Sequence, residues 1–104
     1  MLKQIRILAD GTIADPDRRV HVTGDPSKGG PDQVQWLAPG GSDFRIDFAY
    51  IKGTPLDSGI RTFDIPPSNP HRVSQNKGEY KYDVYKKDAK GDWQKTDDPD
   101  VVID

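Results

Sequence analysis

The nine prolines and ten glycines of this 104-residue chain are spread along its whole length. Proline breaks a helix interior and glycine weakens it, so few windows can hold a helix of about ten residues. The acidic residues favour the same conclusion, because sixteen of the seventeen are aspartate and only Glu79 is glutamate. Aspartate favours turns and caps, whereas glutamate favours helix interiors. The sequence therefore predicts an all-β chain.

Between these breaks, apolar and polar residues alternate. The clearest case is the segment 44–50, which has one apolar face. That face carries Phe44, Ile46, Phe48 and Tyr50. A period of two is typical of a strand with one buried side and one wet side. Trp36 and the alternating Tyr80, Tyr82 and Val84 are expected in the core for the same reason.

Strand-like patterning recurs in eight segments separated by turn signals. They are residues 3–8, 18–23, 33–37, 44–50, 60–65, 71–74, 78–85 and 100–104. Residues 86–92 predict a polar hairpin turn before Trp93. A chain of this length has room for one domain, so we expect a single all-β sandwich or barrel over residues 1–104, with about seven to nine strands.

Several short motifs follow one another in an order known from one family of β-sandwiches. They are Asp15-Pro16 leading to Gly24-Asp25, Val34-Gln35-Trp36, residues 44–48, residues 78–84 and the closing strand 100–104. Together they resemble the cupredoxins, the Greek-key sandwich family of the plastocyanin relatives. The resemblance implies a cupredoxin-like Greek-key fold for most of the chain.

The same resemblance implies where copper ligands would stand. A blue-copper site needs two histidines, a cysteine thiolate and usually a weak axial methionine. Phe44 stands at the first histidine position, Val84 at the cysteine position and Lys87 near the second histidine, while the one methionine is Met1. We therefore expect no copper, no other cofactor, and a metal cavity filled by core side chains.

The sequence also offers few residues for another metal site or for a catalytic site. The chain has no cysteine, and His21 and His71 are its only imidazoles. A metal site would need both to converge with carboxylates; we expect instead an outward-facing His21 and a loop position for His71 after Pro70. No Gly-x-Ser-x-Gly elbow presents a serine nucleophile. The sequence predicts neither catalytic nor metal-binding residues, and hence no enzyme.

Charge and hydropathy exclude two classes of partner. The net charge is −2 with both signs interspersed, so no broad basic field is present to hold a nucleic acid backbone. No apolar run approaches the roughly 18 residues of a membrane span. Residues 1–8 alternate polar and apolar side chains and lack the apolar stretch of a signal peptide, which predicts a cytoplasmic protein.

One basic and aromatic cluster stands out as a candidate partner site. Tyr85, Lys86 and Lys87 lie just before the predicted hairpin turn, and Trp93 lies just after it. Such a combination can bind an acidic peptide or single-stranded nucleic acid, although interleaved aspartates offset its charge. A large aromatic in a polar hairpin can anchor a partner; packing across an open end of the sandwich is the alternative.

These observations predict a non-catalytic, copper-free binding or accessory module. It would act on a protein partner through a sheet edge or through its long loops, residues 24–32 and 52–70. A small-ligand or carbohydrate-binding domain is the alternative, with Trp93, Tyr85 and Tyr50 as sugar-facing aromatics. Sandwich edges can pair, but proline and charge near strand ends oppose pairing, so we expect a monomer or a weak dimer.

Overall fold

The computed structural model describes residues 1–49 and 52–104, and this part of the chain contains ten strands. The strands are β1 (Leu2–Arg6), β2 (Arg19–Val22), β3 (Gln33–Leu37), β4 (Phe44–Asp47), β5 (Thr62–Ile65), β6 (His71–Arg72), β7 (Gly78–Lys81), β8 (Asp83–Lys87), β9 (Trp93–Asp97) and β10 (Asp100–Ile103). Two 3-10 turns, Asp15–Asp17 and Pro26–Lys28, are three residues long each. No helix in the described ranges has the length and apolar character that crossing a membrane requires.

The strands form three hydrogen-bonded sheets with the orders β1-β3-β6, β2-β10-β7 and β5-β4-β8-β9. β1 pairs parallel with β3, and β2 pairs parallel with β10. Every pair in the four-stranded sheet is antiparallel. The predicted all-β class is therefore confirmed, and the architecture is sandwich-like.

The strand count exceeds the predicted seven to nine for two reasons. Residues 93–97 form a full strand after the hairpin turn, and the segment 78–85, predicted as one strand, is two. β7 pairs with β10, whereas β8 pairs with β4 and β9. Tyr82 lies at the crossing, where its N–H donates to the carbonyl of Pro99 at 3.0 Å. Alternation continues through the crossing, so the pattern alone does not reveal it.

Other predicted strands differ mainly at their ends. Residues 33–37 are a strand as predicted, while the segment predicted over 44–50 leaves the strand after Asp47. Phe48 continues the register, because its N–H donates to the carbonyl of Arg61 at 2.7 Å. Tyr50, predicted on the apolar face, lies outside the described residues.

The predicted core residues are buried. Trp36 is 1% exposed, and 4% or less of the surface is exposed for each of Phe44, Ile46, Phe48, Tyr80, Tyr82 and Val84. The largest of these side chains form an aromatic cluster around Trp36. Its ring centroid lies 5.5 Å from that of Tyr82, 5.4 Å from that of Phe63 and 6.0 Å from that of Phe48. Edge-to-face contacts of this kind add to the stabilisation from burial.

A buried hydrogen bond fixes the centre of this cluster. Trp36 Nε1 donates to the Tyr82 hydroxyl at 3.2 Å. Burial raises the pKa of Tyr82, because an ionised phenolate would be poorly solvated there. The hydroxyl therefore stays neutral and available to the indole.

We expect Tyr82→Phe to lower the free energy of unfolding by about 1–3 kcal/mol, because the Trp36 N–H would be left buried without an acceptor. Tyr85→Phe is the matched control. Its hydroxyl lies at the partly exposed surface, 3.5 Å from Asp83 Oδ2, so its effect should stay within about 0.5 kcal/mol. Urea unfolding followed by far-UV circular dichroism measures both. Equal stabilities of the two variants would contradict the assigned role of the buried hydrogen bond.

Candidate functional site

The β8–β9 hairpin carries all four predicted partner-binding residues, but the pleat divides them between two faces. Lys87 lies opposite Trp93 in the register, and Lys86 lies opposite Gln94. Because successive side chains point to opposite faces, Tyr85, Lys87 and Trp93 share the outer face of the sheet. Lys86 lies on the other face, so the structure joins three of the predicted residues and separates the fourth.

Arg45 completes the surface group on the outer face, and sequence reasoning missed it. Its guanidinium carbon lies 4.2 Å from the Trp93 ring centroid, and Lys87 Nζ lies 5.7 Å from the same centroid. β4 places Arg45 directly opposite Tyr85. We call Arg45, Tyr85, Lys87 and Trp93 the outer-face patch. The sequence signal for Arg45 was only its outward position in an alternating strand, because the strand order is needed to bring it to Trp93.

An ion pair holds the guanidinium over the indole. Arg45 Nε lies 2.6 Å from Asp64 Oδ1, and Arg45 Nη2 lies 3.2 Å from Asp64 Oδ2. The hydrogen bond from Arg45 lowers the pKa of the Asp64 carboxyl. Since Arg45 covers a face of the Trp93 ring, a sugar could stack on that face only by displacing a paired cation. Tyr50, the third aromatic of the carbohydrate hypothesis, lies outside the described residues.

An open groove of about 830 Å³ lies beside the patch, at the end of the sheet where β4 begins and β8 ends. We call it the end groove. Its walls come from the loop 38–43, the turn 65–68 and the hairpin. Its lining includes Pro39, Gly41, Ser42, Pro66, Lys86 and Lys87. Lys87 therefore borders both surfaces, and the end groove gives Lys86 a place in the candidate site.

The two lysine ammonium groups at the end groove differ in their contacts within the chain. Lys86 Nζ donates to the carbonyl of Ala9 at 2.8 Å. Among the described residues, no carboxylate lies within ion-pair distance of the Lys86 or Lys87 ammonium. Both lysines thus keep charge that a partner can neutralise.

The carboxylate of Asp88, by contrast, is occupied within the hairpin. Its Oδ1 accepts the N–H groups of Lys90 and Asp92, each at 2.9 Å, and its Oδ2 accepts Gln94 Nε2 at 3.3 Å. The Asp92 N–H is the main reason that the pKa of Asp88 is lowered. Asp88 therefore shapes the turn and competes little with a partner for the lysines.

The positions that the resemblance assigns to copper ligands carry core side chains. Phe44 and Val84 are both 0% exposed, and their strands β4 and β8 are direct neighbours. Lys87 is exposed at the rim. Within residues 1–49 and 52–104, no three His, Cys, Asp or Glu side chains lie close enough together to hold a metal ion.

The two histidines lie in different settings. His21 is exposed on β2, as predicted, with Nδ1 3.2 Å from both carboxylate oxygens of Asp104. His71 lies in β6, at the start of the segment predicted as a strand over 71–74 and not in the loop expected for it after Pro70. Its ring centroid is 4.5 Å from that of Phe63 and 6.2 Å from that of Trp36. Burial lowers the pKa of His71. Its ring therefore packs as part of the core margin.

The two long loops singled out by the sequence have internal structure. In residues 24–32, the carboxylate of Asp25 accepts the N–H of Ser27 at 2.9 Å, and buried Asp32 accepts the N–H of Thr23 at 2.9 Å. Residues 52–70 include β5 and the isolated bridge from Leu56 to Val73. Both are built connections, and only the turn 65–68 of the second reaches the end groove.

The chain matches no family model, no curated protein and no solved structure. The cupredoxin resemblance therefore stays a prediction.

Asp97 fixes the far end of β9 and thereby the hairpin. Its carboxylate accepts the N–H groups of Ile13 at 2.8 Å and Asp98 at 2.9 Å, and it pairs with Arg18. Burial raises the pKa of Asp97, but the hydrogen bonds from Arg18 and the two N–H groups outweigh burial and lower it. Charged Asp97 thus stabilises the fold.

We expect Asp97→Asn to lower the free energy of unfolding by about 1–3 kcal/mol at neutral pH. A lowered folded-state pKa stabilises fully above the unfolded value of about 3.9 and progressively less as pH falls through the folded value. The loss relative to the native chain should therefore shrink below about pH 4. Asp98→Asn is the control and should change the stability little. Its carboxylate is half-exposed and makes only a long contact with Lys81 Nζ, at 3.7 Å. Urea unfolding at several pH values measures both, and a pH-independent difference for Asp97→Asn would contradict the assignment.

Proposed function

We propose that this chain is a non-catalytic binding module that holds an acidic segment of a protein partner in the end groove. The observation that carries the proposal is the pair of ammonium groups, Lys86 and Lys87, at a groove of about 830 Å³ with no carboxylate of the described residues at ion-pair distance. Lysine and carboxylate at a partly shielded surface attract each other more strongly than in bulk water.

The walls of the end groove favour an extended segment. Pro39, Gly40, Gly41 and Pro66 present backbone and small or rigid side chains, which leave little side-chain freedom to be lost on binding. Ser42 and Gln94 add hydroxyl and amide groups that can hydrogen bond to a peptide backbone. A narrow, acidic stretch of partner chain is the occupant that this lining fits.

The outer-face patch supplies an ordered flank for the same partner. Arg45 is already held by Asp64 and Trp93, so little freedom of its side chain is lost when a partner covers it. Tryptophan and arginine are the side chains that most often dominate binding energy at protein interfaces. We propose that the partner continues from the end groove past Lys87 onto Trp93.

We also propose that the sandwich has the cupredoxin-like Greek-key topology. This proposal is supported by strands that are neighbours in a sheet although they are far apart in the sequence. Examples are β4 beside β8, and β10 between β2 and β7. The parallel pairs β1 with β3 and β2 with β10 further require connections that cross between sheets. Buried Phe44 and Val84 support a sandwich end filled by apolar side chains.

A fluorescently labelled oligoglutamate peptide tests the binding proposal by anisotropy. We expect the double variant Lys86→Glu, Lys87→Glu to weaken binding at least about tenfold, and added salt to weaken binding to the native chain. The double variant Lys28→Glu, Lys90→Glu is the charge-matched control, because both lysines are exposed and neither lines the end groove. Circular dichroism verifies that each variant is folded. No binding by the native chain, or equal losses in the control, would refute the proposal.

A small-ligand site is the second candidate, and the volume of the groove favours it. Small-molecule sites commonly measure about 300–1,000 Å³, a range that includes about 830 Å³. The ligand would lie against Pro66, with Ser42, Ser68 and Gln94 as polar contacts. Chemical-shift changes at these residues with a panel of small organic acids and sugars, and none with oligoglutamate, would favour this candidate over the first.

A further inference from the structure

β5 forms one edge of the four-stranded sheet, and its backbone has a free side. The N–H of Phe48 donates to the carbonyl of Arg61 in the same register that pairs Ile46 with Phe63 and Phe44 with Ile65. Antiparallel hydrogen-bonded pairs alternate along a ladder. Residues 61, 63 and 65 therefore face β4, and the backbone groups of Thr62 and Asp64 face away from the sheet.

The pairing of β4 with β8 supports this alternation independently. The N–H of Lys87 donates to the carbonyl of Asp43 at 3.0 Å, so the odd-numbered residues of β4 face β8. Its even-numbered residues then face β5, as the contact from Phe48 requires. No backbone group of the described residues donates to or accepts from Thr62 or Asp64 on the outer side. The free edge thus offers two donors and two acceptors.

The opposite edge of the sheet is protected along its length, whereas the protection of β5 is limited to one charged residue, Asp64, and the prolines that follow the strand. β9 carries Lys95 and a register irregularity opposite Val84 and Tyr85, and Thr96 Oγ1 donates to the carbonyl of Gly11. Lysines, bulges and covering loops are devices that prevent edge pairing. β5 has neither lysine nor bulge within Thr62–Ile65, and Thr62 and Asp64 are exposed.

The free backbone groups of β5 can pair with those of a second copy that runs antiparallel. The side chains need not change partners, because the Thr62 hydroxyl donates to Asp47 Oδ1 at 3.0 Å and Asp64 is paired with Arg45 within each subunit. Pairing Phe63 with Phe63 of the partner subunit places Thr62 opposite Asp64 of the partner subunit, and the reverse. All free N–H and carbonyl groups of both strands then meet in four hydrogen bonds. A shift of the register by two residues in one direction would oppose the two Asp64 carboxylates, which is unfavourable. A shift in the other direction would oppose the two Thr62 residues and would move Phe63 away from its symmetry mate.

Apolar surface lies along the same edge. Ile60 is 39% exposed, and Phe63 is partly exposed. A groove of about 470 Å³ runs beside the strand, with Ile60, Phe63, Pro67 and His71 in its lining. In the favoured register, Phe63 contacts its own symmetry mate and Ile60 lies opposite Pro66 of the partner subunit. Aromatic cross-strand pairs stabilise such contacts.

We propose that two copies of this chain associate through antiparallel pairing of their β5 edges, centred on Phe63. The second copy is the occupant because an antiparallel copy of the same edge satisfies all of the free backbone groups and brings Phe63 against Phe63 of the partner subunit. Each Asp64 carboxylate meanwhile stays paired with Arg45 of its own subunit. The pairing ends at Pro66, which has no N–H to donate. Such a small interface gives a weak dimer, with a Kd between about 10 µM and about 1 mM.

Sedimentation equilibrium from about 1 µM to about 1 mM measures this association. Thr62→Pro would remove one free N–H donor from each edge without removing a hydrogen bond to β4, and we expect Kd to rise about tenfold. Circular dichroism verifies that the variant is folded. Thr62→Val is the matched variant, because it keeps the free N–H and the β-branched side chain, and it should leave Kd unchanged. Lys90→Glu is the control, because Lys90 is exposed in the turn between β8 and β9, on the opposite side of the sheet from β5, and it should leave Kd unchanged.

Hydrogen exchange gives a second readout that locates the contact. The amides of Thr62 and Asp64 are free in one subunit, so their exchange should slow as the protein concentration rises. The exchange rate of the Phe63 amide should not depend on concentration, because that amide already faces β4. A native chain that stays monomeric overturns the proposal, even if its edge accepts a strand of another protein. A dimer that is insensitive to Thr62→Pro, or disrupted by Thr62→Val or by Lys90→Glu, also overturns it.

Discussion

The contact between Trp36 and Tyr82 ties together all three sheets. Trp36 belongs to β3, in the first sheet, and Tyr82 lies where the chain passes from β7 in the second sheet to β8 in the third. Phe48 and Phe63 extend the same cluster from the four-stranded sheet. Because this buried group fixes where β8 starts, it also fixes the register from which the β8–β9 hairpin and its surfaces follow.

One property of β8 explains how a short hairpin serves two surfaces. Consecutive residues of a strand point to opposite sides, so Lys86 and Lys87 cannot share one face. Lys86 reaches the carbonyl of Ala9, and Lys87 lies over Trp93 while bordering the end groove. Lys86 and Lys87 are adjacent in the sequence, but they contribute to two surfaces. One is the end groove and the other is the outer-face patch.

Local periodicity predicted the core well and the surfaces poorly. Phe44, Ile46, Tyr82 and Val84 were placed correctly because burial of one strand face follows directly from a period of two. The break at Tyr82 was missed because the alternation continues through it. Arg45 was missed because its contact with Trp93 depends on β4 lying beside β8, and strand order is set by long-range packing that a sequence window does not contain.

The proposed dimer and the proposed binding site are compatible in one molecule. Ile65 and Pro66, at the end of β5, form part of the lining of the end groove. The two lysines of the groove lie on β8, which is separated from β5 by β4. Neighbouring strands are about 4.8 Å apart, so the charged part of the groove lies about 10 Å from the paired edge. Antiparallel pairing also directs the two grooves to opposite ends of the joined sheet. Each subunit can therefore hold its own partner segment, and loss of one interaction leaves the other measurable.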